Sequence, residues 1–325
     1  MKQESERMEP PADSELIQKS GSKSVALSDV VSLTGINLLN QSNFSQHSQS
    51  TTDAPVLVLL AAGKGTRFGI QPKCIQPVHG KPLARHSIDA FRQISPLPVI
   101  CVVGYRYQEV VHALGEDNIY VRSKNPTGGT AFAAFESLSV PQLLEANPLL
   151  IITMGDRIVP AMIYQQLLEI HTQANKCSDS SKEAELTILT AQYNPPYNLR
   201  KGRILRDSDG TIIDIREQKD IEAEEDPKTR DQQLALTEGN CPLYMLRART
   251  LYRSLSSITN HNAQRQYYIT DMIANIKARQ GEIRSLTTTP ADPAYFLLCA
   301  DVTRAEDLPR LEGILAKFQE EQRAL

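Results

Sequence analysis

The chain has 325 residues, a length that admits one large α/β domain or two small ones. Its 41% apolar and 22% charged residues exclude a mostly disordered chain, a collagen and a coiled coil. Lys and Arg total 35 against 38 Asp and Glu, a net charge of −3, so no global basic field exists for nucleic acid or an anionic membrane and any bound polyanion has to be held locally.

The segment Met1–Arg7 is too polar for a signal peptide, and no apolar run reaches the roughly 18 residues of a spanning helix. A cytoplasmic protein without membrane contact is expected. Residues 1–54 hold eleven serines and Phe44 as their one aromatic. Such a segment buries too little apolar surface to offset its ordering entropy, so a disordered extension is expected. Within it, residues 28–39 have the pattern of a short amphipathic helix that could dock on the domain or on a partner, although Gly35 weakens it.

From Pro55 onward apolar runs alternate with helical periodicity, which predicts one α/β domain over 55–325 with a largely parallel sheet. Strands are expected at Val56–Leu60, Val99–Val103, Leu149–Met154, Leu186–Gln192 and Tyr295–Ala300. Helices are expected at Pro82–Gln93, Gly129–Leu138, Pro160–Ala174 and Tyr268–Arg279. Residues 202–215 alternate about an Asp-Gly turn and predict a β-hairpin over a substrate crevice. Residues 175–184 and 220–236 read as charged loops. Near the end, Leu308, Leu311, Leu315 and Phe318 share one helical face.

The five cysteines include no C-x-x-C and the six histidines no H-x-x-x-H, which argues against a disulfide framework, a zinc site and a catalytic thiol or imidazole. The chemistry concentrates in Leu59-Leu60-Ala61-Ala62-Gly63-Lys64-Gly65-Thr66-Arg67-Phe68-Gly69, followed by Pro72-Lys73. A strand entering a glycine-rich turn lets backbone N–H groups converge on phosphate oxygens, and Arg67 and Lys73 add cations beside them. A Walker A loop fails for want of its first glycine, and a dinucleotide loop fails because the glycines are one residue too far apart. Asp89 falls near a ribose-binding position but in a helical pattern. A glycine turn with incidental cations is the remaining alternative for the loop taken alone.

The loop is the first of an ordered motif series. Leu60–Phe68, Pro72-Lys73, Gly80-Lys81-Pro82, Val102–Tyr105, Gly155-Asp156, Gly202-Arg203-Ile204, Glu217–Asp220, Glu238-Gly239-Asn240 and Gln266–Asp271 together resemble the sugar nucleotidyltransferase family. The resemblance is to its uridyltransferase branch acting on N-acetylglucosamine 1-phosphate, and it covers roughly residues 55–312. It implies a Rossmann-like three-layer α/β/α fold with a central, mostly parallel mixed sheet and a small β-hairpin subdomain over the sugar site.

It also implies transfer of a nucleoside monophosphate from an NTP, UTP in that branch, to a sugar 1-phosphate, with Mg2+ as cofactor, these two small-molecule substrates as partners, and no nucleic acid or membrane. By resemblance Arg67 holds the triphosphate, Lys73 stabilises charge at the α-phosphate and Asp156 ligates the metal. Leu60, Ala61, Ala62, Gly63, Gly65, Thr66, Asn125, Gly128 and Gly129 bind the nucleotide. Gly202, Glu217 and Asn240 contact the sugar, and Tyr267 or Thr270 its phosphate side. Bland readings stand beside these: a helix cap for Asp156, a solvated cluster for Glu217 and Lys219, and core packing for one of Tyr267 and Tyr268.

The chain departs from the family in three places. Asn125-Pro126-Thr127-Gly128-Gly129-Thr130-Ala131 differs from the usual base-reading element. Thr303 stands where a second metal ligand is usual, so either Asp301 substitutes or the site is weakened; Thr303–Glu306 also fits a capping box, with a helix start near Asp307 as the alternative. Cys241-Pro242 replaces two small residues beside the sugar contact. A cytidylyltransferase for a surface-polymer precursor and a nucleotide-sugar-binding regulator without turnover are the competing readings. No hexapeptide repeat follows, so acetyl-CoA chemistry is not expected.

Overall fold

The computed structural model describes residues 26–30, 54–65, 67–173, 184–193 and 201–324. Nine strands form one sheet: β1 Val56–Ala61, β2 Ile100–Val103, β3 Ile119–Arg122, β4 Leu149–Met154, β5 Leu186–Gln192, β6 Arg203–Arg206, β7 Ile212–Arg216, β8 Glu238–Arg247 and β9 Ile283–Thr288. The main order is β9-β5-β8-β4-β1-β2-β3, with the β6–β7 hairpin joined to β8. β1, β2, β3 and β4 run parallel, as do β5 and β9, while β8 is antiparallel to β4 and β5.

Burial on both faces explains why β1 reads as a continuous apolar run. Val56, Val58 and Leu60 enter one core with helices Thr130–Ser137, Ala248–Leu255 and Met272–Ala278. Leu57, Leu59 and Ala61 enter the other with helices Leu83–Phe91 and Ala161–Thr172. The result is the three-layer α/β/α arrangement with a mixed, mostly parallel sheet. Helix Leu308–Ala324 packs Leu311 and Leu315 into a third cluster with Val78, Leu83, Ile158 and Val302, and Leu308 and Phe318 border it.

Several expectations need correction. Tyr295–Ala300 is not a strand: Tyr295–Cys299 is a helix, and its Tyr295 and Leu298 enter one core while Leu297 enters another. A six-residue apolar run has no period long enough to separate the two. Residues 220–236 are not simply a loop, because they carry most of helix Gln218–Glu222 and all of Pro227–Ala235. The latter starts on Asp226, whose carboxylate accepts from Lys228 N and Thr229 N, with Pro227 in the first turn. At the last helix Asp307, not Glu306, reaches back, accepting from Thr303 N at 2.7 Å and Arg304 N at 2.8 Å.

In the N-terminal segment, Leu27–Val30 is a short helix. Leu27 is fully buried, and Leu27 N and Ser28 N donate to Ile258 O and Ser256 O at 2.9 and 3.0 Å. The rest of the expected helix, 31–39, lies outside the described residues, as do 1–25 and most of the expected loop at 175–184. No helix among the described residues is long and apolar enough to cross a membrane.

Candidate active site

The glycine-rich turn leaves the carboxyl end of β1, where ligands bind in open α/β sheets. Gly65 has φ +55° and Phe68 N donates to Gly65 O at 2.7 Å, a tight turn that leaves Gly63, Lys64, Gly65 and Arg67 exposed. Tyr105 N ties Ala62 O to the end of β2 at 3.0 Å. A Cβ on Gly104 would lie 2.6 Å from Ala62 O, so only glycine permits that approach. Thr66 lies outside the described residues.

Below the turn opens a cavity of about 950 Å³. Its wall takes Arg67 and Lys73 from the first motif, Asp156 from the end of β4, Gly202 and Glu217 from the hairpin, Asn240 from β8, Thr270, and Asp301 with Thr303. Five cations (Arg67, Lys73, Arg157, Lys201, Lys219) and four carboxylates (Asp156, Glu217, Glu222, Asp301) line it. It is therefore a strongly polar site, suited to phosphorylated and hydroxylated ligands and ill suited to an apolar one.

Lys73 opens a 3-10 turn after Pro72. Its Nζ lies 2.5 Å from Asp156 Oδ2 and donates to Val302 O at 2.7 Å. Gly155 allows this placement, since its N–H donates to Leu60 O at 2.9 Å and a Cβ there would sit 3.2 Å from Ala61 Cβ and Cys74 Cβ. The Cys74 thiol is pushed up to about 12 by burial, with the Asp156 charge adding to it, which removes it as a nucleophile at neutral pH. Asp301 Oδ1 lies 2.5 Å from Lys201 Nζ and 3.2 Å from Arg157 Nη2. Burial opposes its charged form, but the two cations hold its carboxyl below the usual range.

On the hairpin side, Asn240 N donates to Gly202 O at 2.8 Å, and Asn240 Nδ2 donates to Tyr244 OH at 2.8 Å. Asn240 Oδ1 is buried without a hydrogen-bond partner among the described residues. A Cβ at Gly202 would stand 3.3 Å from Glu217 Oε1, so the glycine lets that carboxylate close on the wall. Thr270 Oγ1 donates to Glu217 Oε1 at 3.3 Å, and burial raises the Glu217 carboxyl. Glu217 is thus a cavity group and not a solvated one.

Tyr267 does not join them. It is 6% exposed and packs on Phe132 with ring centroids 6.3 Å apart, so the structure favours Thr270 over Tyr267 for the site. Leu60, Ala61, Ala62, Gly63, Gly65, Asn125, Gly128 and Gly129 are likewise absent from the cavity wall, which takes Arg67 from the glycine-rich turn and Thr130 from the segment after Gly129. Leu60 and Ala61 end β1, and the others lie in the turns beside the cavity. Asn125 Oδ1 accepts from Thr127 N at 3.2 Å and from Thr127 Oγ1 at 2.9 Å. Tyr267 N donates to Gly128 O, and Ala131 N donates to Tyr267 O, both at 3.0 Å. Gly129 has φ +104°, and a Cβ there would fall 2.4 Å from Tyr267 O. Gly129→Ala is accordingly expected to destabilise the fold by about 2 kcal/mol or more, read as a lowered urea midpoint; an unchanged midpoint would contradict the close packing. Asp89 is structural, paired with Lys81 at 2.7 Å and Arg85 at 2.8 Å.

Sequence reasoning missed Arg157 and Lys201. Each adjoins a matched motif residue, Asp156 and Gly202, and that adjacency was the one available signal. Behind Glu217 a second cavity of about 460 Å³ is lined by Asp214, Glu217, Asp220 and Asp271. Burial, then the charges of Asp214, Asp220 and Glu217, push the Asp271 carboxyl up to about 7. A carboxyl raised on folding holds its proton more tightly in the native state, so stability falls as pH rises between its unfolded value near 4 and about 7. Asp271→Asn is expected to flatten that fall. Urea midpoints at pH 5 and pH 8 check it, and an equal fall in variant and wild type would refute it.

The fold is that of α/β nucleotidyltransferases. It superposes on the inositol-1-phosphate CTP transferase of T. maritima with a TM-score of 0.56 at 15% identity, over 82% of this chain and 97% of that one. A putative glucose-1-phosphate thymidylyltransferase of Bacillus anthracis gives a TM-score of 0.57 at 17% identity, over 81% and 96%. Residues 57–213 match the MobA-like NTP transferase domain. The chain is similar to the bifunctional protein GlmU of Geobacillus sp., 34% identical over 236 residues, and to that of Bacillus subtilis, 33% over 232. These matches cover 72% and 71% of this chain but only 47% and 46% of the relatives, so the chain matches about half the length of these curated relatives. Together these matches make the chain similar to the sugar nucleotidyltransferases, as its motif series implies.

Proposed function

We propose that the protein is a nucleotidyltransferase that moves a nucleoside monophosphate from an NTP, UTP by the motif resemblance, to a sugar 1-phosphate. N-acetylglucosamine 1-phosphate or a related hexose phosphate is the proposed acceptor. A phosphate oxygen of the acceptor attacks the α-phosphorus, the new P–O bond replaces the α–β bridge, and pyrophosphate leaves. The nucleophile is already anionic, so no general base is required; the protein supplies alignment and charge neutralisation.

The observation that carries this reading is the single cavity shared by Arg67, Lys73 and Asp156 on the nucleotide side and Gly202, Glu217 and Asn240 on the other. Arg67 would grip the triphosphate. Lys73 would meet charge at the α-phosphate. Asn240 and Glu217 would meet the sugar hydroxyls. Asp156, with Asp301, would hold a magnesium ion, which when bound neutralises phosphate charge. The donor set fits that ion, because magnesium commonly takes one or two carboxylates and fills its shell with phosphate oxygens and water. No group of three or more ligating side chains occurs among the described residues.

The test is pyrophosphate release with magnesium, each of UTP, CTP, GTP, ATP and dTTP, and a panel of sugar 1-phosphates. Release with UTP and an N-acetylhexosamine or hexose phosphate is expected. Silence across the panel from folded, nucleotide-binding protein would overturn the enzyme in favour of a nucleotide-sugar sensor.

A further inference from the structure

The half of the cavity assigned to the sugar holds a cation that none of these roles uses. The Lys201 side chain is only 7% exposed and borders the cavity beside Gly202. Its Nζ and Arg157 Nη2 converge on one oxygen, Asp301 Oδ1, at 2.5 and 3.2 Å. Lys201 and Arg157, at 7% and 12% exposed, thus share one carboxylate that is itself 44% exposed, an arrangement that a ligand anion would complete.

The two cations are not equivalent. Arg157 is also anchored structurally, donating to Leu298 O at 2.7 Å. Lys201 Nζ has Asp301 as its hydrogen-bond acceptor and otherwise lies over the Tyr193 ring, 5.4 Å from its centroid. An ammonium offers three donors, so Lys201 keeps capacity for a ligand on the cavity side.

We propose that Lys201 is a binding residue for the phosphate of the acceptor, so that this end of the cavity selects a phosphorylated sugar over the free sugar. The proposal rests on the function proposed above, which supplies the acceptor. A purely structural Lys201, serving only to neutralise Asp301, would not discriminate between the two ligands.

The experiment pairs calorimetry with kinetics on the full chain. Sugar 1-phosphate, the unphosphorylated sugar and inorganic phosphate are titrated, without nucleotide, into wild type, Lys201→Met, Lys201→Gln and Lys201→Arg. Lys201→Gln keeps a donor toward Asp301 without the charge, and thermal melting selects the folded variants. Expected is a tenfold or greater rise in Kd and KM for the sugar phosphate in the Met and Gln variants, with KM for the nucleotide within twofold of wild type. Binding of the free sugar should be unchanged and Lys201→Arg should recover most of the loss. An unchanged sugar-phosphate Kd, or equal rises in both KM values, would overturn the proposal. Wild-type protein that releases no pyrophosphate would instead refute the enzyme reading, and the inorganic phosphate titration would still decide whether Lys201 holds that group.

Discussion

Lys73→Ala is expected to lower kcat for pyrophosphate release by roughly 10²- to 10³-fold, the usual cost of removing one preorganised charge-stabilising donor. Pro72 and the 3-10 turn over 73–75 fix where this side chain begins, and Asp156 and Val302 O fix where it ends, at 2.5 and 2.7 Å. The ammonium is therefore positioned before substrate arrives. Its salt bridge is 22% and 30% exposed, and a partly solvated pair contributes little to stability, so the melting temperature should scarcely move. Steady-state kinetics with melting curves check both halves. A wild-type rate would remove Lys73 from the mechanism, and a collapsed melting temperature would make its role structural.

Asp156→Asn is expected to abolish magnesium-dependent turnover, a loss of about 10³-fold or more, since metal charge stabilisation is commonly worth several kcal/mol. The substitution keeps shape and hydrogen bonding while removing the charge that would hold a cation. Nucleotide affinity measured without magnesium should change little or rise, because Lys73 loses its anionic partner and is freed toward phosphate. Variant activity that rises with magnesium as the wild type's does would show that the ion is held elsewhere.

The parts of this molecule legible in its sequence were those whose physics is local. β1, β4 and β5 are buried on both faces and read as apolar runs, and the helices flanking the sheet kept their period. Asp156 and Gly202 could be found because strand ends and glycine turns mark them. β8 was missed as a strand because Pro242 interrupts it, yet the proline falls in an irregularity of the ladder between Asn240 and Tyr244, where proline is tolerated. Lys201 and Arg157, marked in the sequence only by their motif neighbours, were missed for a different reason. Their importance comes from meeting Asp301, 100 and 144 residues away in sequence, and no spacing rule reaches so far. The choice between Tyr267 and Thr270 was open in the sequence because a motif does not show which of its side chains packs inward; Tyr267 is buried and Thr270 lines the cavity.

The backbone seam at Gly128–Ala131 and Tyr267 has a mechanical meaning. Two main-chain hydrogen bonds of 3.0 Å and a contact too close for any Cβ weld the turn expected to meet the base to the segment that delivers Thr270. A rigid-body clamshell motion parting the two at this line would have to break that weld, so closure around substrates should be confined to the rims, such as the turn bearing Arg67 and the β6–β7 hairpin. Loosening the weld should then blur recognition of donor and acceptor together.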